Sequence, residues 1–164
     1  MNTKKTNAPM PKRFWLMKSE PDVFSIDDLI AEKTSLWDGV RNYQARNFMQ
    51  EMQVGDEVFF YHSNANPSAI VGLMEVVEMA QADPSQFNPQ SAYFDEKATH
   101  DKPRWFCVRV GKAKRFGKIL PLSFLKTVAP LTGCLLLEKG SRLSVMPISE
   151  EHANHLLALA GEII

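Results

Sequence analysis

Residues 37–47, WDGVRNYQARN, place an isolated tryptophan, a glycine and two arginines around a helix start. Gly39 permits an unusual backbone turn. Beyond it the free amides of a helix N-terminus would meet Arg41 and Asn42, with Arg46 one turn further on. Free amides beside arginines suit an anion, and a nucleic-acid phosphate is one that fits. A plainer reading is favoured by the sequence alone: Asn42 caps the helix, and Arg41 pairs with a surface carboxylate. Trp37 follows no helix or strand period, so it either plugs the core or faces a ligand. Its company favours a ligand. The run FWLMKSEP carries strand formers into Lys18, Ser19, Glu20 and the ladder-ending Pro21, and strand ends beside helix starts are where small clefts form. A flat aromatic among a few hydrogen-bonding groups suits a nucleobase, which has an apolar face and a polar edge.

Positive charge gathers elsewhere. Between residues 97 and 126 lie nine lysines and arginines against the single acid Asp101. Arg109, Lys112, Lys114 and Lys118, spaced along a strand and turn, could present a basic ridge to phosphates. The same charges would also serve as a solvated edge that discourages sheet-to-sheet pairing. Signatures of catalysis are scarce. His152 and His155 are three apart on one helix with no third ligand at suggestive spacing, so neither metal nor cofactor is expected. Ser19, Glu20 and His62 form no recognised dyad or triad.

Several elements must position these groups. A strand through residues 14–19 leads to a short helix capped by Ser25, and Ala45, Phe48, Met49 and Met52 recur at helical spacing in a second helix after Asn42. Two strands, EVFFYHS and AIVGLMEVVEM, flank the turn-rich loop NANPS. Residues 81–103 carry three prolines and no period, a long structureless connection. Phe87, Tyr93 and Phe94 within it predict that the loop folds back over the body. RWFCVRVGKAKRF reads as one long strand, PLSFLKTV as a helical turn, CLLLEK as helix or strand, and RLSVMPIS as a final strand ended by Pro147. Ser149 opens a last helix with Ala153, Leu156, Leu157 and Ala160 facing inward.

The 164 residues suit one domain, expected over residues 13–162 after a polar tail at 1–12. Composition is that of an ordinary soluble protein, 45% hydrophobic and 23% charged, with no apolar run able to span a membrane. Nineteen basic side chains balance nineteen acidic ones, so a nucleic acid would have to be held by a local patch. Cys107 and Cys134 fit no CxxC pattern and are expected as buried thiols. The opening residues lack the apolar core of a secretion signal, which favours a cytoplasmic protein, nuclear in a eukaryote.

Five blocks in order, WLMKSEPDVFSIDDL, WDGVRNYQARNFM, VGDEVFFYHSN, DPSQFNPQSAYFDEKA with PRWFCVRV, and LSVMPIS, resemble the EVE domain from about Phe14 to Leu159. The resemblance implies an α+β, PUA-like fold: a small curled mixed β-barrel with flanking helices, similar to the YTH domains that bind methylated adenine in RNA. It implies a non-enzymatic reader of a modified base in RNA or DNA, expected as a monomer. By the same resemblance Lys18, Ser19 and Trp37 belong to the base pocket, Ser63 and Asn64 approach the base, and Tyr93 or Phe94 complete the aromatic wall. This loop lacks the tryptophans of YTH domains. Arg41, Asn42, Arg46, Lys112, Lys114 and Arg115 are left to hold phosphates. Two other classes stay in view: an enzyme acting on a modified base or nucleotide, which needs His62, Ser19 and Glu20 to converge, and a protein-interaction module, which needs an exposed apolar patch without a basic rim.

Overall fold

The computed structural model describes residues 11–164; the expected tail at 1–12 falls almost wholly outside them. Alternation along the first strand sets the architecture. In β1 (Phe14–Ser19) Trp15 and Met17 point to one side of the sheet and Leu16 to the other, and all three are fully buried. β3 (Glu57–His62) repeats the pattern with Val58 and Phe60 against Phe59 and Tyr61. Both faces of the sheet therefore need cover. On one face α1 (Ile26–Glu32) and α2 (Tyr43–Glu51) supply Ile26, Leu29, Ala45 and Met49. On the other α4 (Glu150–Ala160) supplies Ala153, Leu156 and Ala160, joined by Leu125 from α3 (Leu122–Leu125). Leu157, expected inward, is half-buried at the margin.

The remaining strands are β2 (Thr34–Leu36), β4 (Ala69–Ala82), β5 (Phe106–Pro121) and β6 (Val145–Ile148), and the six lie in the order β2-β5-β4-β3-β1-β6. β1 and β3 run parallel while every other pair is antiparallel, which makes the sheet mixed. Register shifts along β4 and β5 mark bulges, which bend long strands. The ladder does not close: β2 and β6 remain its edges, so the curled sheet is an open relative of the expected barrel. At Gly72 in β4 a Cβ would collide with the Lys114 carbonyl and Ile26, which explains glycine in a buried strand.

Four expectations change. Trp37 does not sit in a bare linker, because β2 pairs with β5 immediately before it and its amide donates to the Val108 carbonyl at 2.9 Å. Three residues are too few for a period to show. Pro147 does not end β6 but lies inside it opposite Trp15; as β6 is an edge strand, its missing N–H costs no ladder bond. CLLLEK forms a single 3₁₀ turn, Leu135–Leu137. The chain's last residues also continue past the expected boundary at 162, since Ile164 exchanges two backbone hydrogen bonds with Arg115.

Candidate functional site

A cavity of about 880 Å³ opens at the Ser19 end of β1. Its wall is assembled from distant parts of the chain: the end of β1, residues 35–41, the turn after β3, one residue of the long loop, and residues 141–144. The structure brings Lys18, Ser19, Trp37, Arg41, Ser63, Asn64 and Tyr93 together there. Phe94 is exposed elsewhere on the loop, and Asn42, Arg46, Lys112, Lys114 and Arg115 do not line the cavity. Asp38, Arg142 and Ser144 do, and none of them carried a signal in the sequence reading.

Trp37 is only 7% exposed and packs edge-to-face with Phe60, ring centres 5.3 Å apart, and with Phe24 at 6.1 Å. It is both core plug and cavity wall. Its indole N–H has no hydrogen-bond partner among the described residues, and every buried side-chain donor there is paired, so this donor is open to the cavity. Lys18 lies with its ammonium 5.6 Å from the centre of the Tyr61 ring, and burial lowers its pKa. The Ser19 hydroxyl donates to the Phe24 carbonyl at 2.7 Å, fixing the turn after Pro21. Asn64, at φ +48°, donates to the Glu20 carboxylate at 2.6 Å, so Glu20 supports the turn.

A buried carboxylate builds the rim. Asp83, fully buried at the end of β4, accepts from the Gly39 amide at 2.8 Å, from Arg41 at 3.0 Å, and from the Ser85 amide and hydroxyl. Burial alone would raise its pKa, but these donors outweigh it and hold the carboxyl below its ordinary value. Arg41 also donates to the Tyr93 carbonyl through Nε at 3.1 Å and Nη2 at 2.6 Å, and to the Ser85 hydroxyl. Its guanidinium is thus a clasp between the 37–41 turn and the long loop, closer to the plainer reading than to a phosphate site, although its carboxylate partner is buried rather than on the surface. Asn42 caps α2 by accepting from the Ala45 amide at 2.9 Å, and Arg46 donates to the Arg104 carbonyl.

The loop is not structureless. Buried Gln86 donates to the Asp83 and Trp105 carbonyls and accepts from the Arg104 and Trp105 amides. Asp95 accepts the Trp105 indole N–H at 2.8 Å. Held in this way, the loop lays Tyr93 over Gly39, where a Cβ would come within 2.7 Å of the ring and where φ is +79°. Tyr93 is 42% exposed and offers the more accessible aromatic surface at the mouth. The DPS triplet was the available clue, since Asp before Pro-Ser caps a turn through its carboxylate.

The cations differ in their partners. On β5 Arg109 pairs with Glu78 at 3.1 Å, Lys112 with Glu75 at 3.5 Å and Arg115 with Asp27, whereas Lys114 and Lys118 have no acidic partner among the described residues. Around the cavity Lys18 and Arg142 have no acidic partner among the described residues. Lys126 and Lys139, around an adjoining cavity that shares Lys18 and Ser141, have none either. His62 accepts the Ile26 amide at its Nε2, 3.1 Å away, and burial lowers its pKa. Ser19, Glu20 and His62 each bond to a different partner, so no proton relay joins them.

An open, mixed six-stranded sheet with helices on both faces and a cavity at the end of its first strand defines an α+β domain of the PUA-like class. The chain belongs to the EVE domain family, whose pattern matches residues 13–159. It is 41% identical to mouse thymocyte nuclear protein 1, with 89% of this chain and 73% of that protein aligned, and 40% identical to the human protein over 88% and 72%. Among solved structures, a Pseudomonas syringae protein is 48% identical with a TM-score of 0.87, covering 90% of this chain and 99% of that one. Human thymocyte nuclear protein 1 in complex with DNA containing 5-methylcytosine is 39% identical with a TM-score of 0.85, covering 92% and 99%.

Proposed function

We propose that this chain binds nucleic acid without catalysis and takes a modified base, of the 5-methylcytosine kind, into the cavity between Lys18, Trp37 and Tyr93. The observation that carries this reading is the open indole N–H of Trp37 in a cavity where Ser19, Arg41 and Asn64 are held by the framework while Lys18 and Arg142 have no acidic partner among the described residues. The relative in complex with 5-methylcytosine DNA supports the same partner class. Tyr93 gives a base a surface to stack on, a contact worth about 1–3 kcal/mol. Trp37 backs the pocket, while Ser63 and Asn64 border it. Phosphates of the flanking nucleotides meet Lys18 and Arg142, with Lys126 and Lys139 beyond; the β5 cations Lys112 and Arg115 are paired with Glu75 and Asp27 at the surface, and Lys114 lies outside the cavity. Burial of one methyl contributes about 0.8 kcal/mol, roughly a fourfold preference, so a close fit around it must supply any larger selectivity. The separate commitments of Ser19, Glu20 and His62 speak against the enzyme reading.

The test is binding to matched modified and unmodified DNA and RNA oligonucleotides at two salt concentrations. Tyr93→Ala and Lys18→Met are the informative variants, because removing Trp37 would also cost about 3–5 kcal/mol of core packing. The modified oligonucleotide is expected to bind more tightly, Tyr93→Ala to weaken it about tenfold or more, and Lys18→Met to flatten the salt dependence. Equal binding of all oligonucleotides, unaffected by either variant, would overturn the proposal.

A further inference from the structure

Resting on the reading above, we infer that Asp38 selects the base: its carboxylate accepts a hydrogen bond from an exocyclic amino group, so the cavity takes an amino-bearing base and discriminates against its oxo counterpart. Asp38 lines the cavity beside Trp37, and its carboxylate accepts from its own backbone amide but has no salt bridge and no side-chain hydrogen bond among the described residues. Nearby Arg41 is turned to Asp83, Ser85 and Tyr93 instead. A carboxylate without a cationic partner in a nucleic-acid pocket repels phosphate, and a donor on the ligand offsets that cost. Bases offer such a donor in the amino group of cytosine or adenine, and a carboxylate accepting from cytosine N4 is an established pairing. The Watson–Crick edge of thymine or uracil opposes a carbonyl to the same position. Asp38 is exposed on the cavity wall, yet the desolvation it does undergo, and then the charge of Asp83, raise its pKa, which suits a partner able to share a proton, as cytosine N3 can.

5-Methylcytosine and thymine carry the same methyl and differ only along this edge, which makes them the probes. Each is placed opposite an abasic site in otherwise identical short duplexes, so that extrusion costs the same, and a parallel pair carries adenine or hypoxanthine. Wild type is expected to bind 5-methylcytosine at least tenfold more tightly than thymine. Asp38→Asn, whose amide turns to accept or donate, should bring the ratio close to one; Asp38→Ala should lower it by losing the amino-bearing partner, and thermal denaturation of both variants should show an intact fold. Discrimination in the adenine pair alone would assign the same chemistry to a purine. Binding of either probe without discrimination, or discrimination that survives in both variants, would overturn the role of Asp38 while leaving the base-binding reading in place. Absence of binding to every probe would overturn both.

Discussion

The two ends of the β1–β3 ladder are finished in opposite ways. At the Phe14–Glu57 end a buried carboxylate, Asp56, accepts from the Trp15 indole at 2.9 Å and from the Arg13 and Gln53 amides at 3.2 and 3.0 Å, which closes the end completely. Around the cavity at the Ser19–His62 end the buried carboxylate is Asp83, which follows β4 outside this ladder and spends its bonds on the Gly39 turn and the loop, not on the strand end. The tryptophans record the difference. Trp15 and Trp105 give their N–H groups to Asp56 and Asp95, whereas Trp37 keeps its donor for the cavity. One end is closed by its carboxylate, and the other is left open where the proposed function places a base.

Removing each carboxylate breaks the comparison from its two sides. Asp56→Ala strands three donors at the closed end, and a loss of about 3–5 kcal/mol in denaturant unfolding is expected, with oligonucleotide affinity unchanged in the molecules that remain folded. Asp83→Ala should cost somewhat less, about 2–4 kcal/mol, but amide exchange across residues 83–105 should accelerate and base binding should fall with it. The sign of the pH effect follows from the depressed pKa of Asp83. Its stabilisation is present above the ordinary carboxyl value of about 3.9 and is lost as pH falls through the lower folded value, so below about pH 4 the Ala variant should lose less than wild type does.

Gly39→Ala sharpens the contrast with a smaller change. A non-glycine residue at φ +79° costs about 1–2 kcal/mol, and its Cβ would displace Tyr93. Binding should weaken about tenfold if the displaced ring takes its stacking contact with it, which titration of the variant measures. The smallest effect belongs to His62. Burial lowers its pKa, so the unfolded chain holds more protons once pH drops below about 6.5, and stability should decline from there towards the folded value. His62→Gln should flatten that slope in urea titrations between pH 5 and 7.

Much of the fold was legible because it is written in periods. The alternation in FWLMKS, the i, i+3, i+4 stripe of α2 and the caps at Ser25, Asn42 and Ser149 each act locally, and each formed as expected. β2 was hidden by its brevity, and Pro147 was misjudged because edge position is a property of the whole sheet. At the site, Lys18, Ser19, Trp37 and Tyr93 announced themselves by unusual placement and by resemblance to EVE and YTH domains. Asp83 and Asp38 did not: a carboxylate in a turn looks the same whether it faces solvent, a buried arginine or a cavity. The partners of the basic run on β5 were hidden for a related reason, since Glu75, Glu78 and Asp27, which pair with Lys112, Arg109 and Arg115, lie far from it in sequence.

The three indole N–H groups allow the central claim to be tested directly, since each gives one resolved peak in a nitrogen–proton correlation spectrum. On titration with DNA carrying 5-methylcytosine, the Trp37 peak is predicted to shift while those of Trp15 and Trp105, already bonded to Asp56 and Asp95, stay in place. A stationary Trp37 peak with amide shifts running along β5 would contradict the account, because it would put the nucleic acid on the basic strand and leave the cavity empty.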